Sequence, residues 1–341
     1  MRILVDAMGG DNAPQQIALG AIEAARDFGC EAVLIGRGEA ILQALKDAGI
    51  ETLPKGVEIA NADDVVTMHD EPATVVKKKK ESSMVVGLTM LRDGGGDAFV
   101  SAGSTGALLS AATLIVRRVK GIRRAAMGPQ IPTRSGAQAV LIDCGATAEA
   151  TPEFLLQFAF MGAYYAEKVL HVEKPRVALL NIGAEDTKGG ELQRAAYALL
   201  QAAGQAGQLN FIGNIEARDV PLGGADVVVS DGFSGNVLLK GIEGTASFFA
   251  SMMKDMFKKN LLTKLAAALC MDGIRAFKKK MDYRETGGTA LIGLNKPVIK
   301  AHGSSDALAI RNAIRQAIAA AQADVAGMLA ENIGQMTVTK E

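Results

Sequence analysis

No surplus of either charge marks this chain: 37 Lys+Arg stand against 37 Asp+Glu in 341 residues. A duplex binder usually carries a basic excess, and no recognisable nucleic-acid motif takes its place, so nucleic acid is not an expected partner. Cysteine is scarce. Cys30, Cys144 and Cys270 form an odd set without CxxC spacing, which argues against a disulfide framework or a structural zinc site and makes a reducing cytoplasm the expected compartment. Long apolar runs are missing too, since no segment approaches the roughly 18 residues that a spanning helix needs. The opening MRILVDAMGGD meets Asp6 directly after Ile3–Val5, too soon for a secretory leader. The expectation is a soluble protein, or one that rests on a membrane surface. A dinucleotide fingerprint is also lacking, because the GRGE turn near Gly36 is not part of a GxGxxG following a strand.

What is present is a repeated unit. Short apolar runs enter turns of Gly, Asp, Ser, Thr and Asn in ILVDAMGGD, AFVSAGSTGA, AVLIDCGAT, VALLNIGAEDTKGG and DVVVSDGFSGN. Such runs read as buried strands of a largely parallel sheet with helices on both faces, an α/β class. The length fits one large unit or two lobes sharing a cleft. Ile17, Ala18, Ala21, Ile22 and Ala25 predict a helix near Gln15–Phe28, and a strand over Ala32–Ile35 completes a βαβ crossover. In parallel sheets the turns after the strands gather at one edge, where glycines let backbone N–H groups approach an anion. Several cradles on one edge point to an enzyme handling phosphate or a similar oxyanion.

Two segments depart from this rhythm. HDEPATVVKKKKESSM contains Lys77–Lys80, either a solvated helix face or a positive patch for a phosphate or an acidic partner. Residues 245–280 form a basic amphipathic helical arm: Phe248, Phe249, Met252, Met253, Met256 and Phe257 repeat at helical spacing among lysines. The arm packs on a sister subunit, rests on anionic lipid, or does both. No low-complexity linker separates it, so residues 1–341 read as a single unit.

DAMGGD with Asn12-Ala13-Pro14, KKESSM, SAGSTGA, PEFLLQFAFMGAYY, LLNIGAEDTKGGE, NFIGNIEARD, DVVVSDGFSGNVLLK, DYRETGG and IKAHGSSD stand in an order and spacing that resembles the bacterial phosphate acyltransferases, the acyl-carrier-protein:phosphate transacylases of phospholipid synthesis. The likeness covers essentially the whole chain. It implies a three-layer α/β/α fold, with a largely parallel sheet and a helical excursion, like that of phosphotransacetylases and isopropylmalate dehydrogenases. It also implies transfer of a fatty acyl group from acyl carrier protein to inorganic phosphate by a homodimer without metal or other cofactor. The acyl phosphate would pass to a membrane acyltransferase making lysophosphatidic acid, with the enzyme cytoplasmic and peripherally attached to the membrane. Ser104, Cys144, Thr147 and Thr289 depart from the family's usual Asn, Val, Asn and Ala, while the glycines shaping each turn remain.

Attack by phosphate on a thioester needs donors that gather the anion and donors aimed at the developing oxyanion. With the resemblance, Lys188 in EDTKGG is the candidate for stabilising that charge, its alternative being a solvated turn lysine. Asn236 in SDGFSGN is either an amide donor to phosphate or carbonyl, or a turn former. Ser234 and Gly235 would share its cradle through hydroxyl and backbone N–H. Gly9 and Gly10 shape the first turn, where Asp6 and Asp11 would cap the Gln15–Phe28 helix or orient a cation from another loop. Ser104, Thr105 and Gly106 make an acid-free anion cradle. His302 with Ser304 positions phosphate or trades a proton, or else caps and packs; His69 and His171 carry no site signal. Cys144 has no histidine or cation beside it, so direct transfer without an acyl-enzyme is expected. Three rivals remain: a short-chain phosphotransacetylase using acyl-coenzyme A, a metal-dependent dehydrogenase of the isopropylmalate type, and a membrane scaffold whose arm is its function.

Overall fold

The computed structural model describes residues 1–336. Residues 337–341 of the expected unit lie outside this range, as do the side chains of Lys279 and Lys280 in the expected arm. The strands are β1 Arg2–Asp6, β2 Glu31–Gly36, β3 Val57–Asn61, β4 Ala98–Ser101, β5 Ala126–Gly128, β6 Gln130–Pro132, β7 Gln138–Ile142, β8 Val177–Asn181, β9 Phe211–Glu216, β10 Val227–Val229, β11 Gly288–Ile292 and β12 Val298–Ala301. All the apolar runs noted above form strands, as β1, β4, β7, β8 and β10, and the first helix spans Gln15–Phe28 as its periodicity predicts.

These strands make two sheets. A 7-stranded sheet has the order β3-β2-β1-β4-β12-β11-β5, and a 5-stranded sheet the order β6-β7-β10-β8-β9. Pairing is parallel from β3 through β12 and from β7 through β9, while β11, β5 and β6 pair antiparallel at the adjoining edges. One residue, Pro129, separates β5 from β6, so a single extended segment passes from one sheet to the other. Proline cannot donate to a ladder, which suits a corner between sheets. The corner is closed by Cys144 N–H donating to the Met127 carbonyl at 3.1 Å and Leu141 N–H to the Pro129 carbonyl at 3.0 Å.

Side-chain alternation fixes the layers. In the larger sheet Ile3, Val5, Ala32 and Leu34 pack with the helices Gln15–Phe28 and Ala307–Ala323, whereas Leu4, Val33, Phe99 and Val298 face Ser83–Arg92 and Thr105–Ile115. The helix Pro152–Lys168 is buried along most of its length, and its Phe158, Phe160 and Met161 join one core with Ile142 and Val227 of the smaller sheet. The other face of that sheet, with Leu141 and Val228, is met by Leu238, Leu239 and Ile242 of the helix Gly232–Lys258. That helix is buried only at Gly232 and Gly235 and continues into Leu261–Leu269 and Met271–Met281, carrying exposed Phe248, Phe249, Met252 and Met256. Among the described residues no helix is long and apolar enough to cross a membrane.

Candidate active site

At the carboxyl edge of the larger sheet the loops after β1, β4 and β12 meet. Gly10 has φ of +101°, a conformation that a side chain disfavours, and a Cβ on Gly9 would lie 2.6 Å from Asp6 Oδ2 and 2.7 Å from the Gly103 amide nitrogen. Glycine at 9 therefore lets the β1 and β4 loops touch. The β12 loop is tied to the β1 loop by Asp11 N–H donating to the Gly303 carbonyl at 2.8 Å and by the Asn12 amide donating to the carbonyls of Ser304 and Ser305 at 3.1 and 3.2 Å. Ser104 precedes the Thr105–Ile115 helix without its hydroxyl capping it, and Pro72 leans over Gly106. His302 Nδ1 lies 2.8 Å from the Ser304 hydroxyl and accepts the Ser304 N–H at 3.3 Å, which leaves Nε2 as the protonated nitrogen of the neutral ring. Partial burial, then Lys240 and Lys300, hold the His302 pKa below its ordinary value.

Asp6 and Asp11 do not cap the first helix, whose N-cap position is Pro14, without any side-chain cap. Asp6 is instead buried and accepts hydroxyls from Ser83 and Ser101, each at 2.6 Å, with the Met8 amide at 3.3 Å. The Gly9 N–H also favours the charged form of this carboxylate, against the rise in pKa that burial causes. The cation that Asp6 neighbours comes from a strand and not a loop: it is Lys300 of β12, buried, with its pKa pushed down to about 8 by burial against the opposing pull of Asp6 and Asp11. Neither Lys300 nor Ser83 was a candidate from sequence. The signal was there, a lysine inside the apolar strand run VIKA.

The smaller sheet gathers a second set of loops. Asp143, after β7, is buried and accepts backbone N–H groups of Met127 at 2.8 Å, Cys144 at 2.7 Å, Ala146 at 3.1 Å and Thr147 at 2.6 Å. Burial nevertheless raises its pKa to about 6. Against this loop sits the first turn of the Gly232–Lys258 helix, where a Cβ on Gly235 would lie 2.1 Å from the Asp143 carbonyl and 2.5 Å from Ser230 Oγ. The amides of Ser234 and Gly235 are not open: Ser234 N–H donates to the Asp231 carboxylate at 2.8 Å and Gly235 N–H to the Asp231 carbonyl at 3.0 Å. The Gly235 N–H expected to hold an anion is thus taken by Asp231 instead. What this turn offers outward is the Ser234 hydroxyl and the exposed Asn236 amide, next to Gly145, whose Cβ would be 3.8 Å from Asn236 Cγ. Lys188 follows β8 on a turn held by the Asn181 amide, which donates to the Lys188 carbonyl at 3.1 Å. Its side chain is 47% exposed, with Nζ 3.8 Å from Glu185.

The helix Gly232–Lys258 relates the two edges. Its Lys240 and Glu243, paired at 2.7 Å, lie within electrostatic reach both of His302 on the larger sheet and of Cys144 on the smaller. Cys144 is 3% exposed, and its thiol is pushed up to about 12 by burial and then by Asp143 and Glu243, which leaves it a poor nucleophile. In the lysine run, Lys79 is partly buried and bonds Asp64 at 3.0 Å and the Val65 carbonyl at 3.2 Å, while Lys77, Lys78 and Lys80 are exposed. A cavity of about 140 Å³ bounded by Met1, Asp97, Tyr165 and Leu329 lies at the amino ends of β1 and β4, away from these loops.

A family model described as fatty acid synthesis protein matches residues 1–328. The phosphate acyltransferase of Brevibacillus brevis is 47% identical over 339 residues, which cover 99% of each chain. That of Thermoanaerobacterium thermosaccharolyticum is 47% identical over 325 residues, 95% of this chain and 94% of its own. Among solved structures, a phosphotransacetylase from Streptococcus pyogenes superposes with a TM-score of 0.63 at 20% identity, over 94% of both chains. A branched-chain phosphotransacylase from Enterococcus faecalis does so with a TM-score of 0.57 at 14% identity, over 95% of this chain and 99% of its own. The structural likenesses establish the shared α/β fold, and the sequence relatives establish the kinship: the chain belongs to the phosphate acyltransferase family and is an acyltransferase.

Proposed function

We propose that the chain transfers a fatty acyl group from the thioester of acyl carrier protein to inorganic phosphate, giving acyl phosphate and the free carrier thiol. A phosphate oxygen attacks the thioester carbonyl carbon, the new C–O bond forms, and the C–S bond breaks as the sulfur leaves with its electron pair and takes a proton. Ser104, Thr105 and Gly106, at an uncapped helix start, hold the phosphate with His302 and Ser304. Gly9 and Gly10 shape this edge. Lys188 and Asn236 act on the carbonyl oxygen as it gains charge, and Ser234 and Gly235 fix the turn that carries Asn236. No step uses Cys144 as an acyl carrier, in keeping with its buried, protonated thiol.

The observation that carries a long acyl chain over a short one is the course of a single helix. Gly232–Lys258 starts at the second cradle, exposes Phe233 and Val237 beside Asn236, and carries exposed Phe248, Phe249, Met252 and Met256 away from it. We take the chain to work as one catalytic unit whose arm, residues 245–280, serves a sister subunit and the cytoplasmic membrane surface, where a membrane acyltransferase would consume the product. The test is release of carrier thiol by purified protein supplied with long-chain acyl carrier protein, with and without inorganic phosphate. Phosphate-dependent release that exceeds the rate with acetyl-coenzyme A supports the reading; faster turnover of acetyl-coenzyme A makes the enzyme a short-chain phosphotransacetylase instead.

A further inference from the structure

Lys300 stands where an apolar residue would be the stable choice. It is 8% exposed in a central strand, and burying an ammonium is unfavourable unless something compensates it. The register of β1, β4 and β12 pairs Asp6 with Ser101 and Ser101 with Lys300, so all of them lie side by side on the face covered by Ser83–Arg92 and Thr105–Ile115. Asp6 is already satisfied by two hydroxyls and the Met8 amide. An ammonium has three N–H donors. Among the described residues that of Lys300 donates only to the carbonyl of its neighbour Ala301. The charged and titratable groups around it are Asp6 on β1, Asp11 on the β1 loop and His302 on the β12 loop, with Lys240 and Glu243 acting on His302 from the Gly232–Lys258 helix. Its electrostatic neighbours thus run from the buried row up to the loop layer of Gly9–Asp11 and Gly303.

We infer that Lys300 is a phosphate-binding residue: its ammonium forms the floor of an oxyanion site walled by the β1, β4 and β12 loops, with Asp6, fixed by Ser83 and Ser101, as its positioning residue. The inference deepens the proposed function and rests on it only for the identity of the anion. Two sources share the chemistry, inorganic phosphate and the phosphate ester on a thioester carrier's arm. A bound anion would compensate a cation that burial puts at a disadvantage. Since burial brings Lys300 down to about 8, affinity should fall as pH rises through that value and the ammonium is lost. A purely structural lysine would give no such dependence.

Calorimetric titration of the full chain with inorganic phosphate, between about pH 7 and about pH 9.5 where a lysine so depressed changes charge, compares wild type with Lys300→Met and Lys300→Arg, each checked for native melting. Lys300→Met should weaken binding by about 30-fold or more while melting no lower than wild type, because an apolar side chain replaces a buried charge. Lys300→Arg should keep most of the binding and lose the decline above pH 8, since guanidinium does not titrate there. Unchanged affinity in Lys300→Met, or a decline that persists in Lys300→Arg, overturns the inference; should Lys300→Met not fold, the other pair of curves decides. A parallel titration with coenzyme A reads the second source, and Lys300-independent binding of both probes, or binding of neither, overturns the site. Lys300-dependent phosphate binding without phosphate-dependent thiol release would retain this site and defeat the proposed reaction instead.

Discussion

Replacing Lys188 by alanine should separate catalysis from stability. The side chain is 47% exposed and its ion pair with Glu185 is long at 3.8 Å. Exposed pairs of this kind contribute about 0.5 kcal/mol or less. The contacts that shape the turn are backbone ones, Lys188 N–H to the Glu185 carbonyl at 3.2 Å and the Asn181 amide to the Lys188 carbonyl at 3.1 Å, and alanine keeps both. The melting temperature should therefore move by less than about 2 °C. Loss of a donor aimed at the developing oxyanion raises the barrier by about 3 kcal/mol, which is a drop of about a hundredfold in kcat. If the ammonium acts in the transition state alone, kcat and kcat/KM fall together. Carrier-thiol release measured over a range of acyl carrier protein concentrations reads both. Unchanged turnover would refute the assignment, and a rise in KM with kcat preserved would make Lys188 a docking residue for the acidic carrier.

Gly235→Ala should destabilise the fold by about 3 kcal/mol, because its Cβ would press on the Asp143 carbonyl and overpacking against backbone cannot relax cheaply; a urea midpoint equal to wild type would show that the close approach is not real. Cys144→Ser should retain most activity, and intact-mass spectra of the working enzyme should lack an acyl adduct, whereas a labelled acyl group trapped on Cys144 would overturn direct transfer. Asp143 titrates near 6 when folded against an ordinary 3.8, so the folded state holds the extra proton between those values and stability falls as pH rises through that window. The fall amounts to at most about 3 kcal/mol, and denaturant midpoints across the window should decline less in Asp143→Asn than in wild type; equal declines would assign the effect to other groups.

How much of this was legible in the sequence depended on the range of the interaction. The strands before DAMGGD, SAGSTGA, DCGAT, NIGAE and SDGFSGN announce themselves because a buried parallel strand is a short apolar run ending in a turn. The division into two sheets does not, because it turns on Pro129 standing between β5 and β6, and Gly-Pro reads locally as any turn. Asp6 looked like a liability for phosphate when only its neighbours were considered. The hydroxyls that satisfy it, those of Ser83 and Ser101, are 77 and 95 residues away. The occupied amides of Ser234 and Gly235, by contrast, were open to local reasoning: Asp231 three residues before Ser234 is an N-cap pattern, and a cap takes the donors first.

The arm and the site are one element, and this constrains what either can do. Gly232–Lys258 is anchored where glycine allows contact with Asp143, Thr147 and Ser230, and it is half-buried along Leu238, Leu239 and Ile242. Beyond this point a Cβ at Gly244 would meet nothing within 4 Å, and Phe248, Phe249, Met252 and Met256 are exposed. A row of large apolar side chains on one helix exceeds the scattered exposure normal for a soluble surface, which marks it as an interaction face for the proposed sister subunit or membrane. A surface bound there would hold the outer turns of a helix that carries Ser234 and Asn236 near its start and places Lys240 within electrostatic reach of His302. An acyl chain leaving the carbonyl site along this helix would pass over apolar side chains from Phe233 and Val237 outward. On the proposed reaction, one surface would then bury the acyl chain and cover the arm together, which is the physical reason a long-chain donor would be matched with an arm that begins inside the cradle.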